Sequence, residues 1–299
     1  MSLRVTQNML NSGLMRNLTS NMRRMDNLQG QLSSGRRINK PSDDPVGLSY
    51  ALRYRSEYGA NEQYLDNLNT AKSWMEYTDS TLDKAGQVLQ RVRELTVTAA
   101  NGTNSQESLD SISSEVSQLY NEMVSIGNSE FNGKFIFNGQ KTDTQPYSDP
   151  NTAATTTVDT AQIQFEIGVG VRLPLNVTGD QAFGSSTDSD NIFAITKQLV
   201  TDLKNNNQTG INSALSSLDS RMTKFLSVRA DVGAKMNRIE FADNRTQDTG
   251  VNLQALISKV EDADIAGTIT NLKTAENVYQ ASLSVGAQLI RPSLVDFLK

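Results

Sequence analysis

The placement of proline restricts the fold more than any other feature of this sequence. All six prolines fall in four places, and the stretches 46–145 and 175–291 contain none. Because proline breaks the interior of a helix, these two stretches can form long helices on either side of a proline-bearing middle segment. The middle segment, 138–190, is rich in Thr, Gly, Ser and Asp. The sequence therefore predicts two helical parts separated by an insert of different structure.

Apolar residues recur every seven residues in the first proline-free stretch, which is typical of a helix that packs along its length against other helices. One row of this heptad pattern contains Leu68, Met75, Leu82 and Leu89. The neighbouring row contains Tyr64, Ala71, Ala85, Val92 and Ala99, with Thr78 as a polar exception. Asp44 followed by Pro45 is a helix start signal, and Asn101 followed by Gly102 is a stop signal. A helix over this span would extend about 80 Å.

Two more helices have the same three-and-four spacing of apolar residues. One contains Leu109, Ile112, Val116, Leu119, Met123 and Ile126 and ends at Gly127. Asn104, with Glu107 three residues later, is predicted to cap its start. The other follows the insert and contains Ile211, Leu215, Leu218, Met222, Phe225, Val232, Met236 and Ile239. Arg229 interrupts one of its apolar rows.

Each end of the chain carries one further apolar stripe. The N-terminal stripe contains Leu14, Leu18, Met25, Leu28 and Leu32. After a break at 262–264, the C-terminal stripe contains Ile265, Ile269, Leu272, Tyr279, Leu283 and Ile290. Short helices with little apolar area are marginal alone, so we expect both to order on assembly. Apart from Tyr279, these residues form the predicted assembly interface.

The insert is predicted to be β. Apolar residues occupy every second position from Ile163 to Val177, which is the period of a strand with one buried face. The run predicts one long strand or a bent pair, with Pro174 at an edge or a bulge. The predicted fold class is therefore mainly α: an elongated coiled-coil helical bundle from the N- and C-terminal segments, with a small inserted β domain.

Composition argues against most enzyme classes. The chain has no histidine and no cysteine, which removes His-dependent acid–base catalysis, Ser-His and Cys-His nucleophiles and the usual zinc sites. Asp43 and Asp44 could bind a metal, but helix capping and pairing with Arg36 or Arg37 explain them better. We predict no catalytic residue, metal or cofactor. A carboxylate- or lysine-based enzyme and a cytoplasmic coiled-coil adaptor remain as alternatives.

Targeting and nucleic-acid signals are also weak. The first 20 residues lack the apolar run of a secretory signal, and no stretch approaches the roughly 20 apolar residues of a membrane span. The basic N-terminal segment has no aromatic residue before Tyr50, so it lacks the stacking groups of a single-stranded nucleic-acid site. We expect neither a nucleic-acid nor a membrane partner.

Several motifs resemble those of the flagellin superfamily. At the N-terminal side these are residues 32–40, LSSGRRINK, and residues 43–47, DDPVG. Residues 228–239, VRADVGAKMNRI, are similar to a downstream helix motif of the family. Residues 260–266, VEDADIA, with 280–283, QASL, and 293–298, SLVDFL, resemble its C-terminal signature. Within the superfamily, residues 131–142, FNGKFIFNGQKT, with 269–272, ITNL, and 275–280, AENVYQ, are most similar to the hook–filament junction branch, the third hook-associated proteins.

The resemblance implies a structural subunit of the bacterial flagellum that connects hook and filament. It implies export without a cleaved signal peptide and an extracellular location. The implied partners are the first hook-associated protein, flagellin, other copies of the chain, the flagellar export apparatus and an export chaperone. It also implies terminal helices of an inner tube (1–43 and 262–299, disordered in the monomer), a helical rod (44–137 and 191–261) and the β insert (138–190). Because the FNG at 131–133 is flagellin-like, a short flagellin that forms the filament itself is the closest alternative.

Overall fold

The computed structural model describes residues 7–289, which form seven helices and four short strands. In chain order these are α1 (Gln7–Ser34), α2 (Pro45–Ala100), α3 (Gln106–Gly127), β1 (Glu130–Phe131), β2 (Lys134–Phe135), β3 (Gln164–Gly168), β4 (Val171–Pro174), α4 (Gly179–Phe183), α5 (Ile192–Lys204), α6 (Gln208–Glu261) and α7 (Ile265–Leu289). The mainly helical fold with a small inserted sheet region confirms the predicted class. The chain divides into two compact units, one formed by residues up to Ala60 and from Thr249, the other by Asn61–Asp248.

The core of the second unit follows the heptad pattern. The four residues of the first row are all at most 2% exposed: Leu68, Met75, Leu82 and Leu89. In this unit α2 runs antiparallel to α6, because Asn61 on α2 donates to the carbonyl of Thr246 and Arg93 pairs with Asp219 at 2.5 Å. Arg229, the polar interruption on α6, pairs with Asp79 at 3.1 Å and Asp83 at 2.7 Å. Arg229, which interrupts the apolar row, therefore forms ion pairs between the two helices.

Helix boundaries match the predicted signals with one exception. Asp44 Oδ1 accepts from the Gly47 amide at 2.8 Å, and α2 begins at Pro45 as predicted. Asn104 does not cap α3. The N-cap is Ser105, whose hydroxyl accepts from the Ser108 amide, while Asn104 Nδ2 donates to the Thr98 carbonyl at the end of α2. Asn104 therefore satisfies carbonyls of the preceding helix.

The alternating run of the insert forms a hairpin, one of the two arrangements that its period allowed. β3 and β4 pair antiparallel, with Phe165 opposite Leu173 and an irregularity between Glu166 and Gly168. Val169 departs from the predicted alternation, because it lies in the turn and is 87% exposed. Gly170 completes this turn with φ +69°, a conformation that glycine adopts without strain.

An aromatic cluster joins the insert to α5. The ring centroids of Tyr147 and Phe193 are 4.7 Å apart, and those of Phe137 and Phe183 are 5.1 Å apart in an edge-to-face arrangement. Phe137, Phe183 and Phe193 are at most 1% exposed. Such aromatic pairs add about 0.5–1.5 kcal/mol each to the apolar burial. The insert is therefore part of the same hydrophobic core as the long helices of its unit.

The first unit buries far less apolar side chain. α1 packs against α7, and Asn21 Nδ2 donates to the Ala275 carbonyl at 3.0 Å. The buried apolar residues of this unit are few among the described positions: Ile38, Ala51, Leu253 and Ala275. Because burial is the dominant favourable term in folding, this unit contributes little stability of its own.

Candidate assembly interface

Exposed apolar side chains are concentrated in the first unit. Among the described residues, 18 large apolar side chains are exposed, and only Val97, Val169, Leu226 and Phe241 belong to the second unit. The remaining 14 lie in the first unit, which is the smaller part of the described chain. Exposed apolar surface of this extent marks an interaction site in a soluble protein. The first unit is therefore the candidate interface.

The N-terminal stripe faces α7 only in part. All five predicted positions are half-buried in the α1–α7 pair: Leu14, Leu18, Met25, Leu28 and Leu32. Beside this stripe, α1 presents Met9, Met15 and Met22, which are 55–64% exposed. Methionine is flexible and polarisable, and it adapts to irregular apolar surfaces. Sequence reasoning missed these methionines, although Met15 and Met22 are themselves seven residues apart.

The C-terminal helix α7 contacts α1 through small residues. Thr268 is 7% exposed and Ala275 is 4% exposed. Further along the helix, Gly286 is also buried. A Cβ on Gly286 would lie 2.7 Å from Leu14 Cδ2, so the glycine allows close approach of the two helices. Thr268 and Ala275 are seven residues apart, and Gly286 lies eleven residues further along the helix. Small residues of α7 therefore recur on the face that packs against the half-buried stripe of α1.

The predicted C-terminal stripe consequently points largely away from α1. Ile265, Ile269 and Leu283 are 44–47% exposed, whereas Leu272 and Tyr279 are half-buried. The fifth predicted position, Ile290, lies outside the described residues. Val278 and Val285 are also exposed, at 50% and 53%. The helix therefore carries apolar side chains in several directions, which is the pattern of a helix surrounded by other protein.

Charge is almost absent from α7. Its 25 residues contain two charged side chains, Lys273 and Glu276, and these pair with each other at 2.8 Å. An exposed helix of a soluble monomer normally carries a charged face. Polar side chains that remain, such as Thr270 and Ser282, donate their hydroxyls to the helix's own carbonyls. These hydroxyl groups therefore have hydrogen-bond partners within the helix itself.

Hydrogen bonds and ion pairs hold the segments between the helices of this unit in place. The Arg37 amide donates to the Glu261 carbonyl at 2.6 Å, and its guanidinium donates to the Val260 carbonyl at 2.8 Å. Glu261 is 5% exposed and pairs with Arg55. The hydrogen bond from the Gly47 amide, with a further contribution from Arg37, lowers the pKa of Asp44. Arg37 and Asp44 thus tie the segment after α1 to the end of α6, in agreement with the predicted capping and pairing.

Asp43, which adjoins Asp44 in the sequence, also accepts hydrogen bonds from backbone amides. Asp43 Oδ2 accepts from the amides of Asn39 and Lys40, at 3.1 and 2.8 Å. Both neighbouring aspartates are therefore occupied by backbone donors, as is expected of loop and cap residues. Within residues 7–289, no helix combines the length and apolar character that a membrane crossing needs. No group of three acidic residues in that range has the arrangement of a metal site.

The sequence is similar to those of known flagellar proteins. Residues 5–142 match the bacterial flagellin N-terminal helical region, and residues 215–298 match the bacterial flagellin C-terminal helical region. The flagellar filament 30.7 kDa core protein of Treponema maltophilum is 31% identical over 271 residues, 88% of each chain. Flagellar hook-associated protein 3 of Escherichia coli is 25% identical over 94% of this chain and 95% of that protein.

Solved structures share the fold. Flagellar hook-associated protein 3 of Legionella pneumophila aligns with a TM-score of 0.63 and 18% identity, over 69% of this chain and 98% of that chain. The FlgL protein of Bacillus cereus aligns with a TM-score of 0.59 and 20% identity, over 69% of this chain and 99% of that chain. The two helical regions together match more than half of the sequence. The chain therefore belongs to the bacterial flagellin family, whose members are structural proteins and not enzymes.

Proposed function

We propose that this chain is a structural subunit of the bacterial flagellum and that it forms part of the junction between hook and filament. The observation that carries the assembly role is the apolar, nearly uncharged outer surface of α7 on a unit with a thin core. In an assembly, each copy buries these side chains against its neighbours at about 25 cal/mol per Å². The contacts are heterologous and repeat around an axis, so the same two complementary surfaces serve every subunit.

The junction role is supported by the relatives that align end to end. Hook-associated protein 3 of Salmonella typhimurium, like its Escherichia coli counterpart, aligns over 94% of this chain and 95% of its own length. The FlgL-type structures cover nearly the whole of their own chains. The motif at 131–142 points to the same branch. A junction subunit must contact two different neighbours, and we propose the first hook-associated protein on one side and flagellin on the other.

A second candidate is a filament subunit. It is favoured by the 31% identity to the filament core protein of Treponema maltophilum, which exceeds the identity to hook-associated protein 3. Both candidates use the same terminal helices for assembly. They differ in the position and number of subunits on the flagellum.

The position of the subunit on the flagellum distinguishes a junction subunit from a filament subunit. The hairpin turn at Val169–Gly170 is exposed and outside the first unit, so it accepts a short epitope tag. Cells that remain motile with the tagged chain are labelled with gold-conjugated antibody and viewed by electron microscopy. A single band where the filament meets the hook supports the junction role. Labelling along the whole filament would assign the chain to the filament instead.

We also propose that the chain leaves the cell through the flagellar export apparatus with an export chaperone and without cleavage. The terminal segments then order only in the assembly, which agrees with the few buried apolar residues of the first unit. Mass spectrometry of protein sheared from the cell surface tests the absence of cleavage. A mass near the full 32.8 kDa is expected. A product that lacks its first 15–30 residues would indicate a signal peptide.

A further inference from the structure

Asparagine is followed by glycine three times in this chain, at 101–102, 132–133 and 138–139. Such a pair can react with itself, because glycine has no Cβ to keep its backbone nitrogen away from the preceding side chain. The nitrogen bonds to the asparagine Cγ and closes a five-membered imide ring. This reaction needs an accessible side chain and a backbone that is free to rotate. The three pairs differ in both respects.

The Asn138 pair is protected by its surroundings. Asn138 is 5% exposed, its Nδ2 donates to the Thr144 carbonyl at 2.9 Å, and its Oδ1 accepts from the Asp159 amide at 3.1 Å. A Cβ added to Gly139 would lie 2.3 Å from the Asp159 carbonyl oxygen. The side chain is therefore fully engaged, and the backbone beside it has little room to rotate.

The Asn132 pair is exposed, but its hairpin turn holds it. Asn132 and Gly133 have φ +51° and +72°, the left-handed conformation of a two-residue hairpin turn. The strands on either side are paired, and the Phe131 ring packs on Trp74 and Tyr77 of α2 with centroids 5.9 and 5.2 Å apart. Closure of the imide ring rotates the backbone out of this turn, so it must disturb the strand pairing.

The Asn101 pair is the least restrained of the three. Both of its residues are exposed, and they lie between the end of α2 and the start of α3. Within residues 7–289, nothing hydrogen-bonds to the Asn101 side chain or to the Gly102 amide nitrogen. A Cβ added to Gly102 would meet no atom within 4 Å. The turn is held through the Asn101 carbonyl, which accepts from the Asn104 amide at 3.3 Å and from its Nδ2 at 2.9 Å.

We infer that Asn101 deamidates spontaneously in the folded chain, whereas Asn132 and Asn138 are protected. The Gly102 nitrogen loses its proton to the solvent and bonds to Asn101 Cγ, and the bond from Cγ to Nδ2 breaks with release of ammonia. Water then opens the imide ring at one of its two carbonyl carbons, which gives aspartate or isoaspartate. Nothing is oxidised or reduced, and water is the only other reactant.

The reaction changes the end of α2. Either product adds a negative charge beside the last carbonyls of this helix, at the negative end of its dipole, where such a charge is unfavourable. Isoaspartate also lengthens the backbone by one atom and displaces the carbonyl that Asn104 holds. The connection between α2 and α3 therefore loosens as the protein ages. The reaction depends on this turn alone, so it takes place whether the subunit belongs to the junction or to the filament.

The test compares the folded and the unfolded chain. The full chain is incubated at neutral pH with and without guanidinium chloride, and fragmentation mass spectrometry of its peptides locates the gain of about 1 Da at each asparagine. In the folded chain, Asn101 should convert at least about tenfold faster than Asn132 or Asn138, because reaction at the other two requires a local opening of the structure. In guanidinium chloride the three rates should be similar, because the fold no longer protects any pair.

A variant of the glycine tests which atom attacks. Gly102→Ala should slow conversion at Asn101 at least about tenfold, because the new Cβ hinders the approach of the nitrogen. The open space around Gly102 accommodates alanine, so this variant should melt with the parent. Gly102→Ser takes its place if it does not. Gly59→Ala, a change at another open glycine, should leave the rate at Asn101 unchanged.

Three results would overturn the inference. One is conversion of Asn132 or Asn138 as fast as Asn101 in the folded chain. Another is an Asn101 that stays intact in the folded chain while it reacts in guanidinium chloride. The third is an equal rate at Asn101 in Gly102→Ala and Gly59→Ala, which would show that the backbone nitrogen is not the attacking atom.

Discussion

Removal of the Arg221 guanidinium should unfold the second unit at a clearly lower temperature. Arg221 is 2% exposed, and it donates through Nε to the Asp190 carbonyl at 2.8 Å and through Nη2 to Asp190 Oδ1 at 2.5 Å. These bonds hold the chain before α5 against α6. A side chain at Gly184 would place its Cβ 2.6 Å from Nη2, so the backbone also fits closely around the guanidinium. We predict a large effect for Arg221→Met.

The size of the destabilisation in Arg221→Met follows from the burial of the ion pair. Removal of one partner from a buried ion pair costs about 3–5 kcal/mol, because the other charge stays buried without compensation. Lys224 Nζ lies 2.8 Å from Asp190 Oδ2 and keeps part of the compensation, but this lysine side chain is 56% exposed. We therefore expect about 3 kcal/mol, the lower end of the range. For a unit of this size, that loss lowers the melting temperature by about 6–12 °C.

Thermal and urea unfolding of purified variants measure this effect. Arg93→Met is the matched control, because Arg93 pairs with Asp219 at 2.5 Å with both side chains substantially exposed. Exposed pairs contribute little, so the control should melt close to the parent. The double variant Arg221→Met, Asp190→Asn should be less destabilised than the two single changes added together. If Arg221→Met melts within about 2 °C of the parent, or no lower than Arg93→Met, the buried pair does not stabilise the unit as argued.

Four other predictions concern the same chain. Burial raises the pKa of Asp190, but hydrogen bonds from Lys224 and Arg221 outweigh it and hold this pKa below its usual value of 3.8. The stabilisation from this carboxylate is therefore full above that pH and is lost as the pH falls below it. The free energy of unfolding in urea should decline less between pH 6 and pH 2 for Asp190→Asn than for the parent. Ser105→Ala removes the N-cap of α3 and should cost about 1 kcal/mol by urea unfolding, whereas Ser105→Asp should retain stability. Gly139→Ala should lower the melting temperature, because Gly139 has φ +55° and an added Cβ would lie 2.3 Å from the Asp159 carbonyl oxygen. Gly233→Ala, inside α6 with open space around it, should instead stabilise by about 0.5–1 kcal/mol.

Periodicity was sufficient to predict α1, α2, α3, α6 and α7, but it gave no pattern for α5, and the short α4 lies within the segment that was predicted to be β. Leu68 and Met75 lie in the core because a heptad row can be buried only along one face of a helix. Asp44 and Gly127 marked a helix start and a helix end through local chemistry that depends on a few neighbouring residues. The break at 262–264 was visible instead as a change in the phase of the apolar pattern. The alternation around Ile167 predicted a strand or a bent pair, but it could not locate the turn at Val169, because a tight turn can preserve the period of two.

The orientation of α7 could not be predicted from its apolar stripe. The large residues Ile269 and Leu283 defined the stripe, but α1 packs against the small residues Ala275 and Gly286. Small residues carry no hydrophobic signal, and their importance appears only when two backbones approach closely. The Arg221–Asp190 pair was missed for a related reason, since no short-range sequence pattern joins residues that meet only through the tertiary fold. Ser105 and Asn104 are adjacent cap-forming residues, and local sequence did not distinguish them.

The central claim is that the outer face of α7 is covered by neighbouring subunits in the assembly. The most direct measurement uses Ile269→Asp together with Leu283→Asp, two changes at side chains that are 46% and 47% exposed in the single chain. Asn212→Asp with Ser216→Asp, at exposed polar positions on α6, adds the same charge elsewhere. Each variant replaces the chain in cells that lack it, and electron microscopy counts the hooks that carry a filament.

The purified α7 variant should melt within about 2 °C of the parent, because both aspartates remain in water. In the assembly each would place an unpaired charge in an apolar contact of every subunit, which is strongly unfavourable. We therefore predict that hooks in these cells lack attached filaments, while the α6 variant supports filaments at the parental frequency. Filaments attached at the parental frequency in the α7 variant would contradict the proposed interface.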